Sequence, residues 1–339
     1  MMLGVVGVCY RNAALKDRER VIVSLAALEE DAHLAQRLLG VRGAYVLLLT
    51  CHRAELYYCS ESEEAAQTAL FSRISALGVQ PYGYRGRACF EHLFRVTSGI
   101  ESLILGETEI QGQVKRAYLK ASSVRQLPFA LHFLFQKALK EGKALRSRTL
   151  FPRSQVTMES LVLETLEAYG KSRASSLLFV GYSAINRKIA ASLYAVGFKN
   201  IVFCSQHRIT LPYRAISYEE LSFSDPYEVI CFGSSQLSKP FYEIPLENLA
   251  QIPQRVVFDF TVPRTCVSQQ DSRGISYFDM EFLSKKIQSQ LTFNLPCMHE
   301  ENLFLLSAAK KHWQIYQKKC SHVFQNAVLS SCSNFFVSC

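Results

Sequence analysis

Thr50-Cys51-His52-Arg53 sets a thiol beside an imidazole and a guanidinium at the end of an apolar run, residues 44–50 (AYVLLLT). Nearby positive charge lowers a thiol's pKa and raises its thiolate fraction. A thiolate is a good nucleophile towards an ester or thioester carbonyl, so the segment suits acyl transfer. The chain has 11 cysteines, and a half-buried structural thiol is the ordinary alternative for any one of them. Residues 99–114 (GIESLILGETEIQGQV) place small and polar residues around an apolar run, which lets polar groups approach a ligand closely. Ordinary helix caps are the plain alternative there. His92, within EHLFR, is a lone helical imidazole, either a structural hydrogen-bonder or an acid or base. Lys137, Lys140, Lys143 and Arg146 recur every three residues and suggest a basic stripe on one helix face. Such a stripe tracks phosphates or is simply solvated. Residues 180–186 (VGYSAIN) lie between an apolar run and a helical one, where a helix N-terminus binds phosphate. Of the fingerprint G-x-G-x-x-G only the first glycine, Gly181, is present; Ser183 and Asn186 take the other two places.

These groups need elements to position them. Residues 3–10, 44–50 and 55–59 read as strands, 15–39 as helix in two pieces, and 61–77 as a helix. Residues 78–86, rich in Gly, Pro and Tyr, read as a loop. From 88 to 147 the pattern is helical, with a break at 99–106, and Phe151-Pro152 stops it. Further on, short apolar runs at 176–180, 200–204, 228–232 and 256–260 follow or alternate with helices at 156–169 and 186–196. That alternation predicts a parallel α/β sheet. Residues 298–319 read as an amphipathic helix and 330–339 (SSCSNFFVSC) as an irregular tail.

A length of 339 residues suffices for two domains and a helical extension. With 49% apolar and 20% charged residues the chain is neither disordered nor a charged fibre. No apolar run approaches the roughly 20 residues that a spanning helix needs, so no membrane partner is expected. The net charge of +9, from 38 basic and 29 acidic residues, suits a nucleic-acid partner, though ordinary proteome bias gives the same balance. An odd number of cysteines without a C-x-x-C pair argues against a disulfide framework or a zinc site, and so many thiols fit a reducing cytoplasm. The N-terminal LGVVGVC is short, interrupted by glycine and has no basic flank, and reads as a buried first strand rather than a secretion signal.

Taken in order, these segments resemble the glutamyl-tRNA reductase family, the first enzyme of the five-carbon route to tetrapyrroles. Leu49-Thr50-Cys51-His52-Arg53-Ala54-Glu55-Leu56-Tyr57 is similar to the family's S-T-C-N-R-T-E-hydrophobic-Y signature. Residues 99–118 resemble its G-L-D-S-to-G-Q-V-K-x-A-Y signature, and Phe135-Gln136-Lys137-Ala138 its F-Q-K-A helix. Arg18-Glu19-Arg20-Val21 and Asp259-Phe260-Thr261-Val262-Pro263-Arg264 also match family segments. The resemblance is strong in the first half and more diverged in the second.

The resemblance implies an α+β N-terminal catalytic domain at 1–153, an α/β Rossmann-like NADPH-binding domain at 154–290 and a truncated C-terminal spinal or dimerisation helix and tail at 291–339. It implies a cytoplasmic oxidoreductase in which Cys51 attacks the ester of glutamyl-tRNA, forms a thioester, and yields glutamate-1-semialdehyde with hydride from NADPH. His92 would assist as acid or base or by holding the intermediate. Arg53 would hold a substrate carboxylate, and Thr50, His52, Ser102, Glu107, Thr108, Glu109 and Gln113 would bind the glutamyl group. Gly181, Tyr182, Ser183, Ala184, Ile185 and Asn186 would bind the cofactor, with Arg208 or His207 at its 2′-phosphate. A homodimer and a glutamate-1-semialdehyde aminomutase partner also follow from the resemblance. The chain departs from the family at His52, where the family has Asn, at Thr108-Glu109, where it has Pro-Gln, and at Gly181-Tyr182-Ser183, where it has G-A-G. Those departures leave two alternatives: a tRNA-binding regulatory protein, or a thioester-forming esterase with a degenerate cofactor domain.

Overall fold

A computed structural model of the chain describes residues 2–149, 157–206, 212–233, 244–250, 252–267, 274–290 and 298–335. In chain order the elements begin with β1 (Met2–Cys9), α1 (Leu15–Glu30), α2 (Ala32–Leu39), β2 (Ala44–Leu49), β3 (Arg53–Ser60), α3 (Glu63–Ser75) and β4 (Tyr82–Arg85). Then come α4 (Arg87–Ser98), α5 (Glu109–Val124), α6 (Phe129–Arg148), α7 (Met158–Ala168), β5 (Leu177–Val180), α8 (Ala184–Ala195), β6 (Ile201–Cys204) and β7 (Arg214–Ile216). The rest are β8 (Val229–Phe232), β9 (Ile244–Pro245), β10 (Arg255–Asp259), β11 (Cys266–Val267), β12 (Ile275–Asp279), α9 (Met280–Gln290) and α10 (His299–Phe335). They fall into two compact units, one of Met1–Ala13, Arg20–Arg153 and Asn294–Cys339, the other of Ala14–Glu19 and Ser154–Phe293.

The first unit holds an antiparallel sheet in the order β2-β3-β1-β4. Leu3, Val5, Val46 and Tyr57 on one of its faces share a core with Phe90 and Phe94 of α4, Leu131 and Phe135 of α6, and Leu305, Ala309 and Tyr316 of α10. Val6, Val8, Leu56 and Tyr58, at the alternate positions, are buried as well. Burial on both faces explains why β1 and β2 read as near-continuous apolar runs instead of alternating ones. Asp31 separates α1 from α2 and caps the latter by accepting from Leu34 N at 2.9 Å.

Two sequence expectations are corrected in this unit. The loop expected at 78–86 contains β4, a four-residue strand paired to β1 alone, whose Gly83 interrupts the apolar signal. The helix expected to end at residue 319 runs to Phe335, because no glycine or proline after Lys319 ends it. The break expected at Phe151-Pro152 lies outside the described residues.

The second unit holds a six-stranded sheet in the order β12-β10-β8-β5-β6-β7, every pair parallel. Counted from β5, the order is that of the dinucleotide-binding doubly wound fold, with its switch point between β5 and β8. β7, β9 and β11 are only two or three residues long and β12 (ISYFD) carries polar residues, so neither they nor the adjoining α9 were legible. At the end of β10, Asp259 is buried and accepts backbone N–H groups from Thr261, Thr265 and Cys266 at 3.0, 2.9 and 2.9 Å. That side chain shapes the turn into the family-like Thr261–Arg264 segment. Both halves thus have the expected class, α+β first and Rossmann-like second, and α10 supplies the C-terminal helix.

Candidate active site

The β2–β3 hairpin is closed by Thr50-Cys51-His52. Thr50 N donates to the Arg53 carbonyl at 2.9 Å. Thr50 Oγ1 accepts from the backbone N–H groups of His52 and Arg53 at 3.3 and 3.2 Å. The threonine therefore builds the turn that presents Cys51. Tyr10 N donates to the His52 carbonyl at 2.8 Å, tying the turn to the end of β1. Cys51 is partly exposed, and its Sγ lies 3.4 Å from His52 Nδ1.

Arg53, Glu55 and Tyr57 share one face of β3 because they are spaced two apart. Glu55 is fully buried and gathers four donors. Its Oε1 takes Arg53 NH1 at 2.8 Å, Tyr82 Oη at 2.5 Å and His92 Nε2 at 2.9 Å, and its Oε2 takes Tyr57 Oη at 2.7 Å. Burial pushes the Glu55 carboxyl up, but the Arg53 guanidinium and the His92 and Tyr82 hydrogen bonds outweigh it and hold the group well below the usual carboxylate range. Burial opposes the Arg53 charge too, yet Glu55 keeps its pKa above the ordinary value. Burial and the Glu55 charge push the Tyr82 and Tyr57 phenols up, so both stay neutral donors.

Arg53 NH2 donates to the Glu101 carbonyl at 2.7 Å, which links the hairpin to the loop after α4. The same arginine borders a cleft of about 410 Å³ lined also by Cys9, Arg11, Tyr82, His92, Arg95 and Glu101. At that cleft the Glu101 carboxylate pairs with Arg11 and, at 3.1 Å, with Arg95. His92 stacks on Tyr84, with ring centroids 4.8 Å apart, and its Nε2 is committed to Glu55. Nδ1 is the nitrogen left for acid or base work. The sequence reading missed Glu55, Tyr82, Arg11, Arg95 and Glu101. Glu55 carries a usable signal, the i, i+2 spacing from Arg53; Tyr82 lies in β4, whose four residues show no apolar period.

The remaining substrate candidates lie along the Gly99–Thr108 turn and the start of α5. Ser102 is buried and its Oγ has no hydrogen-bond partner among the described residues, an open polar group in a site loop. Thr108 precedes α5 without a side-chain cap bond, Glu109 occupies its first turn and Gln113 its second. A carboxylate in a first turn is favoured by the helix dipole, so Glu109 costs less there than its charge suggests. Of the expected catalytic and substrate-binding residues only Arg53 and His92 line the cleft; Thr50, Cys51, His52, Ser102, Glu107, Thr108, Glu109 and Gln113 are not among its lining residues.

Arg146 departs from the expected basic stripe. Its guanidinium turns inward and donates to the carbonyls of Thr97 at 2.7 Å, Glu107 at 3.1 Å and Ser98 at 3.3 Å. One side chain thus pins both ends of the site loop. Arg146→Ala is expected to cost about 2–3 kcal/mol, since it strands partly buried carbonyls, and to raise KM more than it lowers kcat. Thermal unfolding and steady-state kinetics check this. Arg146→Lys is expected to rescue little, because a point charge cannot fork between the carbonyls.

In the second unit Gly181 ends β5 with φ of 89°, and Ser183 caps α8, its Oγ accepting from Asn186 N at 3.3 Å. Tyr182 packs edge-on to Phe203, and Ala184 is exposed at the helix start. Asn186, expected to touch the cofactor, is fully buried and braces the switch point from within. Its Nδ2 donates to the carbonyls of Gly181 at 2.8 Å and Val180 at 3.1 Å. A Cβ on Gly233, at the end of β8, would lie 2.2 Å from Asn186 Oδ1, so only glycine leaves room for this brace. The exposed, capped N-terminus of α8 at a switch point fits the phosphates of a dinucleotide cofactor. His207 and Arg208 lie outside the described residues. Among the described residues no helix is long and apolar enough to cross a membrane.

The sequence profile of the "Glutamyl-tRNAGlu reductase, N-terminal domain" matches residues 6–149. A curated glutamyl-tRNA reductase of Chlamydia pneumoniae is 56% identical over 330 residues, 97% of this chain and 97% of that protein. Another, from Chlamydia caviae, is 54% identical over 331 residues, 98% of each chain. Among solved structures, the glutamyl-tRNA reductase from Methanopyrus kandleri is matched over 97% of this chain and 82% of that one, at 19% identity and a TM-score of 0.47. On the strength of identity that spans both units, the chain belongs to the glutamyl-tRNA reductase family.

Proposed function

We propose that this protein reduces glutamyl-tRNA to glutamate-1-semialdehyde with NADPH, the first step of tetrapyrrole synthesis by the five-carbon route. The observation that carries the reading is a partly exposed Cys51 on a hairpin that runs directly into Arg53, itself locked at a cleft bordered by Arg11, Arg95 and His92. The Cys51 thiolate attacks the ester carbonyl carbon of the glutamyl group, the tRNA leaves as an alcohol, and a thioester remains. Arg53 holds the substrate carboxylate: two of its N–H groups are engaged by Glu55 and Glu101, which fixes the guanidinium at the cleft. Thr50, His52, Ser102, Glu107, Thr108, Glu109 and Gln113 bind the rest of the glutamyl group, and His92 acts through Nδ1. Gly181, Tyr182, Ser183, Ala184 and Ile185 hold the dinucleotide at the head of α8, with Asn186 supporting them. When bound, NADPH would supply hydride, which a thioester accepts more readily than a carboxylate does.

The net charge of +9, with Lys137, Lys140 and Lys143 on α6, supports tRNA as the acidic partner. The protein works in the cytoplasm as a homodimer; exposed Leu303 and Leu306 on α10 support the latter. A glutamate-1-semialdehyde aminomutase receives the reactive aldehyde. Single-turnover reaction with glutamyl-tRNA, with and without NADPH, is the test. Semialdehyde formed only with NADPH is the expected result. Free glutamate in both conditions would show the esterase alternative, and intact glutamyl-tRNA in both would show the regulatory one. Full-length identity to curated reductases favours neither.

A further inference from the structure

We propose that His52 is the proton acceptor for Cys51, so that the nucleophile works as a thiolate–imidazolium pair formed by neighbours in sequence. The proposal rests on Cys51 being the nucleophile. Three observations carry it. His52 Nδ1 stands 3.4 Å from Cys51 Sγ, within hydrogen-bond reach of a sulfur donor. The turn is held from both sides, by Thr50 Oγ1 on the His52 N–H at 3.3 Å and by Tyr10 N on the His52 carbonyl at 2.8 Å, so the backbone that carries both side chains is fixed. The other imidazole of the site, His92, already spends Nε2 on Glu55 and is clasped by the rings of Tyr82 and Tyr84. The site therefore divides its histidines, one at the cleft wall and one on the thiol.

The titratable groups set against His52 include Cys51 and, edge-on with ring centroids 5.8 Å apart, Tyr10 from the end of β1. The Tyr10 hydroxyl accepts from Arg11 Nε at 3.2 Å, so a cation lies behind that phenol. The Arg53 guanidinium, next in sequence, is turned to Glu55 and its charge is compensated there. With its own proton on Nε2, His52 accepts the Sγ proton at Nδ1. The thiolate forms the C–S bond as the ester C–O bond breaks. The departing ribose oxygen takes one proton and becomes a hydroxyl, so the imidazolium's proton balances the step. Nothing is oxidised or reduced.

The test is the pH dependence of Cys51 alkylation by iodoacetamide, followed on the Cys51 peptide by mass spectrometry, in the wild type, His52→Asn and His52→Gln. The wild-type profile is expected to reach half its maximal rate about one pH unit or more below both variants. Acylation by glutamyl-tRNA in a single turnover is expected to fall roughly 10-fold or more in the variants at pH 7 and to converge with the wild type near pH 9, where the thiol ionises unaided. A merely structural role would lower the rate equally at both pH values. Coincident alkylation profiles would overturn the proposal. If Cys51→Ser still reduces glutamyl-tRNA, the nucleophile assignment itself fails; if that variant is inactive and the profiles coincide, only the role of His52 fails.

Discussion

Cys51→Ser is expected to reduce kcat by about 10⁴-fold or more while leaving the affinity for glutamyl-tRNA unchanged. The serine hydroxyl fits the same turn, because bonds from Thr50, Tyr10 and the backbone shape it. What changes is the chemistry. A hydroxyl does not ionise beside an imidazole near neutral pH as a thiol does. Any acyl group it took would be an oxygen ester again, no more reducible than the substrate. Rates in steady state, with filter binding of glutamyl-tRNA, check both halves of the statement. Loss of binding together with activity would mean that Cys51 shapes the pocket and does not perform the reaction.

The second large effect belongs to Glu55. Removing one member of a buried ion pair leaves an uncompensated charge, a cost of about 3–5 kcal/mol. Glu55→Ala strands Arg53 and also takes away the acceptor shared by Tyr57, Tyr82 and His92. It is expected to lower stability by about that amount and to release both the arginine and the histidine from the cleft wall, so activity falls with it. Glu55→Gln keeps the shape but not the charge, and is expected to fall between the two. Chemical denaturation and kinetics measure these effects. The pH dependence has a definite sign. Because the Glu55 pKa is depressed in the folded state, its contribution is fully present above the ordinary carboxylate range and is lost as pH falls below that range towards the folded-state value. The wild type is therefore expected to lose stability on acidification in a window where Glu55→Gln changes less.

Much of this was legible from residue types and spacing, and the misses have physical causes. β1 and β2 showed as apolar runs because both faces of their sheet are covered. The parallel sheet showed because βαβ units repeat at a recognisable interval. β4 did not show, since four residues with a glycine among tyrosines give no period to read. The groups that hold the site were harder still. Arg146 looked like one member of a solvent stripe, yet steps of three on a helix rotate each residue off the previous face, and that rotation turns Arg146 onto the carbonyls of Thr97, Ser98 and Glu107. Asn186 looked like a defective fingerprint glycine, but it fills space that Gly233 vacates from a distant part of the chain. Pairings of that kind, fixed by tertiary structure, leave no local trace.

The most direct measurement is to mix the protein with glutamyl-tRNA carrying labelled glutamate, omit NADPH, quench in acid and map the label. The expected result is a hydroxylamine-labile glutamyl group on the peptide containing Cys51, with tRNA released in equal amount. Label on any other residue, or tRNA release with no label on that peptide, would contradict acyl transfer to Cys51.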